Sequence, residues 1–294
     1  MENILREKMN AKIDASMKEI NKLSNPNLFA KIFGNNNERF TKICELYQDV
    51  INSYITKKEY DNALTFTLIR LDILKNNKEI LDIPLGMEYL EIAKIQEKIN
   101  QLDSIKYYKL AYDNFGETHN RNNMIKTLMK IGDIYKQNDE IDNSIIYYKQ
   151  AIELCDAFDD DATQNKISLI IAGLCVQKEL FSDAMIYYEA TAKKYLDNHI
   201  MKFSSSKYFF LSMLSCICND NMNESKSKYD EYVNNNYVKE VEKSFINNIL
   251  KSIEDDNIED FQQIIREYDD MHALDEVQIA LLKYIKNNIF NSVL

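Results

Sequence analysis

The chain has 294 residues, 28% of them charged, and a net charge of −11 with a pI near 4.9. So acidic a chain lacks the basic field that phosphate binding needs, which argues against nucleic acid as a main partner. Its 5 glycines and 2 prolines are too few for turn-rich antiparallel sheets or the glycine loops of dinucleotide folds.

In chain order, the first segment, MENILREKMNAKIDASMKEI, is amphipathic and mixed in charge. It has no signal-peptide core, and no run in the chain approaches the ~20 apolar residues of a membrane span. A loop around residues 28–34 follows, rich in apolar side chains. Beyond it the helical patterns become periodic. Tyr107-Tyr108, Tyr147-Tyr148 and Tyr187-Tyr188 recur at intervals of 40 residues, in the contexts DSIKYYKLAYDNF, NSIIYYKQAIELC and DAMIYYEATAKKY. Small residues stand four before the second tyrosine (Ser104, Ser144, Ala184) and three after it (Ala111, Ala151, Thr191), and a fainter copy surrounds Ala63. Each copy follows a second helical pattern, such as MIKTLMKIGDIYKQ. A unit of this length holds two helices and two short turns, a hairpin of tetratricopeptide type somewhat longer than the usual ~34 residues. A lone hairpin cannot bury its apolar face, whereas stacked hairpins share a continuous core. The fold expected is therefore all-α: a tetratricopeptide-like helical-hairpin solenoid over residues 1–200, closed by a C-terminal helical bundle over 201–294. The tyrosines are expected to fill the grooves between hairpins.

Within the second region, KFSSSKYFFLSMLSCICND reads as one buried helix, followed by shorter amphipathic segments. The odd set of five scattered cysteines (Cys44, Cys155, Cys175, Cys216, Cys218) suits a reducing compartment, hence the cytoplasm. Cys216 and Cys218 lie two apart in a helix and face different ways, which is no zinc pair. His119, His199 and His272 have no metal-spaced partner and read as surface residues. No P-loop, HExxH or GxSxG occurs. The expectation is an interaction protein, not an enzyme, with no cofactor and no metal. A generic scaffold binding a short peptide in its concave groove remains open at this point.

Four segments in order carry a more specific likeness: Leu28-Phe29-Ala30-Lys31-Ile32-Phe33-Gly34, the repeat block with Gln164-Asn165-Lys166 and Ala172-Gly173, Met201-Lys202-Phe203-Ser204 through Tyr208-Phe209-Phe210, and Glu267-Tyr268-Asp269-Asp270 with Leu274-Asp275 and Leu281-Leu282-Lys283-Tyr284-Ile285-Lys286. Together they resemble the alpha-type soluble NSF attachment protein (alpha-SNAP) family over nearly the whole chain. The resemblance implies an adaptor that binds an assembled SNARE four-helix bundle and recruits the NSF ATPase for its disassembly in vesicle fusion. A divergent copy that interferes with host trafficking is the alternative within the same family. The resemblance places SNARE contacts at Lys126, Lys166, Ile200, Lys202, Phe203 and Lys207, with Ile170 and Ser206 standing where the family has lysine. Independently of it, Lys126 and Lys166 stand 40 residues apart, in step with the repeat. It also implies NSF contacts at Asp220, Glu254, Asp255 and the terminal Leu294, with Lys251 replacing a family glutamate. Weak peripheral membrane contact is implied through Leu28, Phe29, Ile32 and Phe33, so the chain is expected in the cytoplasm and on its membranes.

Overall fold

Apolar residues recur at helical spacing, and two prolines in the whole sequence leave long stretches uninterrupted. The computed structural model describes residues 2–25, 36–81 and 84–290, and every regular element among them is helical. In order these are α1 (Glu2–Leu23), α2 (Asn36–Thr56), α3 (Tyr60–Asn76), α4 (Lys78–Leu81), α5 (Leu85–Ile99), α6 (Gln101–Glu117), α7 (Arg121–Gln137), α8 (Ile141–Ala157), α9 (Asp161–Gln177), α10 (Phe181–Leu196), α11 (Lys202–Cys218), α12 (Met222–Asn234), α13 (Glu240–Glu254), α14 (Ile258–Met271) and α15 (Glu276–Tyr284), which runs into a π-turn at Ile285–Ile289. The all-α, tetratricopeptide-like reading holds. Leu28, Phe29, Ile32, Phe33 and Leu294 lie outside the described residues.

The chain divides into two compact units, Met1–Leu154 and Cys155–Leu294. In the first, α1 packs on α2, α2 on α3, α3 on α5, α5 on α6 and α6 on α7. In the second, neighbours pair from α9 through α14, and α15 returns to pack on α9 and α11. That return covers α11, whose residues Phe209 to Cys218 are all buried. A helix apolar on every side needs neighbours on every side. Cys216 and Cys218 are therefore both buried although they face apart.

Four successive connections share one construction. His119, Asp139, Asp159 and Glu179 adopt left-handed backbone, with φ of 54°, 61°, 56° and 58°. The next amide in each turn reaches back five residues: Asn120 N to Phe115 O (2.9 Å), Glu140 N to Tyr135 O (2.9 Å), Asp160 N to Cys155 O (3.0 Å) and Leu180 N to Cys175 O (2.8 Å). The left-handed residue itself donates to the carbonyl three before it, as from Asp139 to Lys136 at 3.2 Å. These are Schellman endings, which satisfy the orphan carbonyls of a helix terminus. Where the third turn residue is Asn120 or Asp160, its side chain then accepts from Asn123 N (3.4 Å) or Thr163 N (3.1 Å) and caps the next helix. Helices α6, α7, α8 and α9 are each 17 residues long, and each three-residue turn completes a 20-residue step. The 40-residue period of the sequence is two such steps.

This register puts the tyrosines in equivalent places. Tyr108, Tyr148 and Tyr188 are buried, and their partners Tyr107, Tyr147 and Tyr187 are half-buried. Ser104, Ser144, Ala184, Ala111, Ala151 and Thr191 are buried beside them. Tyr108 packs with Ala93, Ile105, Ile131 and Ile134 from α5, α6 and α7. Its hydroxyl donates to Glu97 (2.8 Å), and that of Tyr148 to Asp133 (2.5 Å). Burial first, and these carboxylates second, push both phenols far above the ordinary tyrosine range. Gly132 lets the Tyr148 ring approach, since a Cβ there would lie 3.1 Å from it.

Left-handed backbone costs a side-chain-bearing residue ~1–2 kcal/mol, against ~0.5–1 kcal/mol of added chain entropy for glycine. Glu179, at φ 58°, is therefore expected to give a more stable chain as Glu179→Gly, by about 0.5–1 kcal/mol. A urea or thermal midpoint that falls in the variant would refute this account of the turns.

Candidate partner-binding surfaces

Helices α5 and α7 each carry two lysines four apart, which puts each pair on one helix face. Lys94, Lys98, Lys126 and Lys130 line a groove of about 620 Å³ together with Met87, Leu90 and Tyr108. One acid offsets them: Glu97 accepts from Lys130 Nζ at 2.8 Å through Oε1, while its Oε2 is taken by Tyr108. Among the described residues no ion pair engages Lys94, Lys98 or Lys126. The groove is thus a locally basic site on an acidic protein. Of these four, the sequence singled out only Lys126, through the family resemblance and its place in the repeat; the i, i+4 spacing is the signal that could have found the other three.

Lys166 belongs to the second unit. It is the sixth residue of α9 as Lys126 is of α7. Both are exposed, and each precedes a buried residue, Thr127 or Ile167. Ile170 is half-buried on α9.

Beside the basic groove, α2, α3 and α5 meet at a buried ion cluster. Arg70 donates to both oxygens of Glu88 (2.9 and 2.7 Å), to Glu91 (2.7 Å) and to Gln48. Arg70 and Glu88 are both buried. Breaking such a pair leaves an uncompensated buried charge and costs ~3–5 kcal/mol. Nothing in the sequence singled these residues out.

The second unit presents an apolar projection at the start of α11. Asn198 Oδ1 accepts from the amides of Ile200 (3.0 Å) and Met201 (3.2 Å) and shapes the entry to the helix. Ile200 is 84% exposed and Phe203 87%. Side chains of that size so fully in solvent, close in sequence and next to exposed Lys202, are a candidate contact surface. One turn further, two successive residues reach other helices. Ser206 is buried; its hydroxyl donates to Glu242 and accepts from Lys239 N (3.1 Å) at the start of α13. Lys207 is exposed and pairs with Asp275 Oδ2 at 2.9 Å, at the start of α15. Burial raises the Asp275 carboxyl, but the Gln278 amide and the Lys207 ammonium outweigh it and hold it below the usual range.

An acidic surface forms at the far end of α11. Asp220, in a left-handed turn at φ 54°, and Glu254, at the end of α13, line one groove of about 230 Å³. Asp255 follows as the exposed C-cap of α13. The three carboxylates expected to act together are therefore contributed by neighbouring turns. Glu254 is paired with Lys226 of α12, and Lys251 is exposed on α13.

Among the described residues no group of three or more His, Cys, Asp or Glu side chains is placed to hold a metal. All five cysteines are buried as thiols. Burial pushes the Cys44 and Cys155 thiols up to about 11, away from the thiolate form at neutral pH. His119, His199 and His272 are exposed. No described helix is long and apolar enough to cross a membrane.

A family model for soluble NSF attachment protein, SNAP, matches residues 10–290. The chain belongs to the SNAP family. It is similar to mouse alpha-soluble NSF attachment protein, 22% identical over 266 residues that cover 89% of this chain and 88% of the mouse protein. It is also similar to a soluble NSF attachment protein homologue of fowlpox virus, 25% identical over 222 residues covering 74% of this chain and 78% of that protein. The alpha-soluble NSF attachment protein of Dictyostelium discoideum is 23% identical over 198 residues, or 65% of this chain and 66% of its own.

Asp275 supplies a pH prediction for this SNAP family member. A carboxyl depressed by folding contributes stability that is fully present above its unfolded value, ~3.9, and is lost as pH falls through its lower folded value. The stability difference between the parent and Asp275→Asn is therefore expected to be constant from neutral pH down to about 4 and to shrink below it. Denaturant midpoints of both proteins across that range check this; a difference that persists unchanged in strong acid refutes it.

Proposed function

We infer that the chain is an adaptor that binds an assembled SNARE four-helix bundle and recruits an NSF-type ATPase for its disassembly in vesicle fusion and trafficking. The observation that carries this reading is the SNAP family match over residues 10–290. The surfaces described above fit it chemically. Exposed Lys126, Lys166, Lys202 and Lys207 meet the acidic exterior of the bundle, joined by Lys94, Lys98 and Lys130 of the groove. Ile200 and Phe203 supply apolar contact. Electrostatic attraction of this kind acts within the ~8–10 Å screening length and orients a rod more than it tightens it. Asp220, Glu254 and Asp255, with Leu294, meet a basic surface of the ATPase. Nucleotide chemistry belongs to that partner, in keeping with a chain whose perturbed thiols and phenols are all moved away from reactivity. In this reading residues of the region 1–200, with Lys202, Phe203 and Lys207 just beyond it, grip the bundle, and the rest of 201–294 recruits the ATPase. Leu28, Phe29, Ile32 and Phe33 form a weak peripheral contact with the cytoplasmic face of a membrane.

Lys126→Glu combined with Lys166→Glu is expected to abolish binding to preassembled SNARE bundle while changing stability by ~0.5 kcal/mol or less, as for exposed positions generally. Calorimetric titration at moderate salt checks it, and unchanged affinity removes the basic residues from the site. Phe29→Ser with Phe33→Ser is expected to spare binding in solution but to reduce flotation with liposomes. Two phenylalanines fully buried in lipid contribute ~3 kcal/mol. Equal flotation of the parent and the double variant refutes the membrane contact.

A further inference from the structure

Lys207 is one of the charges read as meeting an acidic rod, yet it is already engaged. Its Nζ lies 2.9 Å from Asp275 Oδ2, with side-chain exposures of 53% and 36%. The same carboxylate has a second task through its other oxygen. Asp275 Oδ1 accepts from Gln278 N at 2.9 Å, and Gln278 Oε1 accepts from Asp275 N at 2.8 Å. This reciprocal pair is the capping box that starts α15. On α11, Phe203 and Lys207 stand four residues apart on one helix face, and Ile200 lies in the turn that leads into the helix. Asp275 therefore brings a negative charge to the basic and apolar face that the proposed function assigns to an acidic partner.

Two physical effects follow, and both oppose that partner. The carboxylate repels an acidic surface, and it occupies the ammonium that would otherwise attract one. We propose that Asp275 is an intramolecular competitor for Lys207: binding of an acidic helical bundle exchanges the partner of Lys207, and Asp275 sets how tightly this face binds. The inference rests on the adaptor reading and adds to it a specificity-determining residue on α15, a helix that contributes none of the contacts named so far. The competition is built in because Asp275 serves the capping box whether or not Lys207 is present. The pair is lost without loss of the cap, and α15 stays attached through its own contacts, including Phe181 against Tyr284 at 4.4 Å.

The division of labour between the two oxygens supplies a clean variant. Asp275→Asn retains an Oδ1 that caps Gln278 N and replaces Oδ2 by an amide donor, which has no use for an ammonium. Asparagine is as good an N-cap as aspartate. Asp275→Ser, which also caps, serves as the second variant should the first lose its fold by thermal melting. The measurement is the dissociation constant for a preassembled SNARE four-helix bundle, over a series of salt concentrations, for the parent, Asp275→Asn, Lys207→Gln and the double variant. Exposed pairs of this kind are worth ~0.2–1 kcal/mol, so Asp275→Asn is expected to bind about 1.4- to fivefold tighter at low salt, with a steeper salt dependence. In chains that also carry Lys207→Gln the gain is expected to shrink. An unchanged or weaker affinity in Asp275→Asn overturns the proposal. A gain of equal size with and without Lys207→Gln also overturns it, because long-range repulsion alone then accounts for the effect. Absence of any binding by the parent sinks the adaptor reading and this inference together, whereas binding by the parent with no gain sinks this inference alone.

Discussion

A three-residue turn sets the register from α6 to α10. One residue ends a helix in left-handed backbone, and the next both closes the Schellman bond to the old helix and begins the new one. Asn120 and Asp160 do this with main chain and side chain together, donating backward to Phe115 and Cys155 and capping forward onto Asn123 and Thr163. No residue is left over to absorb a slip, so the 17-residue helices repeat with a 20-residue step. Every second helix then presents the same positions to its neighbours. The strain at His119, Asp139, Asp159 and Glu179 is offset by carbonyls that would otherwise lack partners. Burial of the Tyr108 and Tyr148 rings depends on that register, because each needs a small residue at a fixed place opposite it.

Between Asn76 at the end of α3 and Leu85 at the start of α5 the connection departs from that three-residue turn and carries the short helix α4. Side chains tie the helices together here. Arg70 of α3 bonds forward to Glu88 and Glu91 of α5 and back to Gln48 of α2. A guanidinium suits this role because its planar fork fixes direction as well as distance. A buried cluster of this kind contributes little net stability over an apolar core, but wrong alignments would leave its charges unpaired. Arg70 thus ties three helices together through its own side chain.

Legibility in the sequence followed the same physics. The 40-residue period could be read because alternate helices carry the tyrosine pair, while the underlying 20-residue step could not, since odd and even helices bury different side chains and share only a turn written as His-Asn, Asp-Glu, Asp-Asp and Glu-Leu. The buried α11 was evident from its unbroken apolar run. Arg70 was not, because an arginine gives no periodic sign of being buried and its acids are fixed by helix packing alone. At the surface, Lys126 and Lys166 came from family resemblance, and their 40-residue spacing agreed with the repeat. Ile200 and Phe203 came from family resemblance, and their exposure of 84% and 87% is a property of the fold that hydrophobicity alone would have predicted the other way. Asp275 and Lys226 were missed because an intramolecular counter-ion contributed by a distant helix leaves no local pattern.

Those counter-ions divide the surface charges into two kinds. Lys207, Glu254 and Lys130 are held by Asp275, Lys226 and Glu97, whereas Lys94, Lys98 and Lys126 have no ion-pair partner among the described residues. For the held charges a new contact replaces an old one, so the gain is a difference between two similar terms. For the free lysines the whole attraction is available, but each is well solvated and modest in effect. Ile200 and Phe203 differ from both kinds. Burying them removes apolar area from water with no pair to break, at ~25 cal/mol per Å². Under the proposed adaptor function, then, the apolar projection would add contact with no pair to break, the free lysines an undivided attraction, and the held charges only the difference between two pairs.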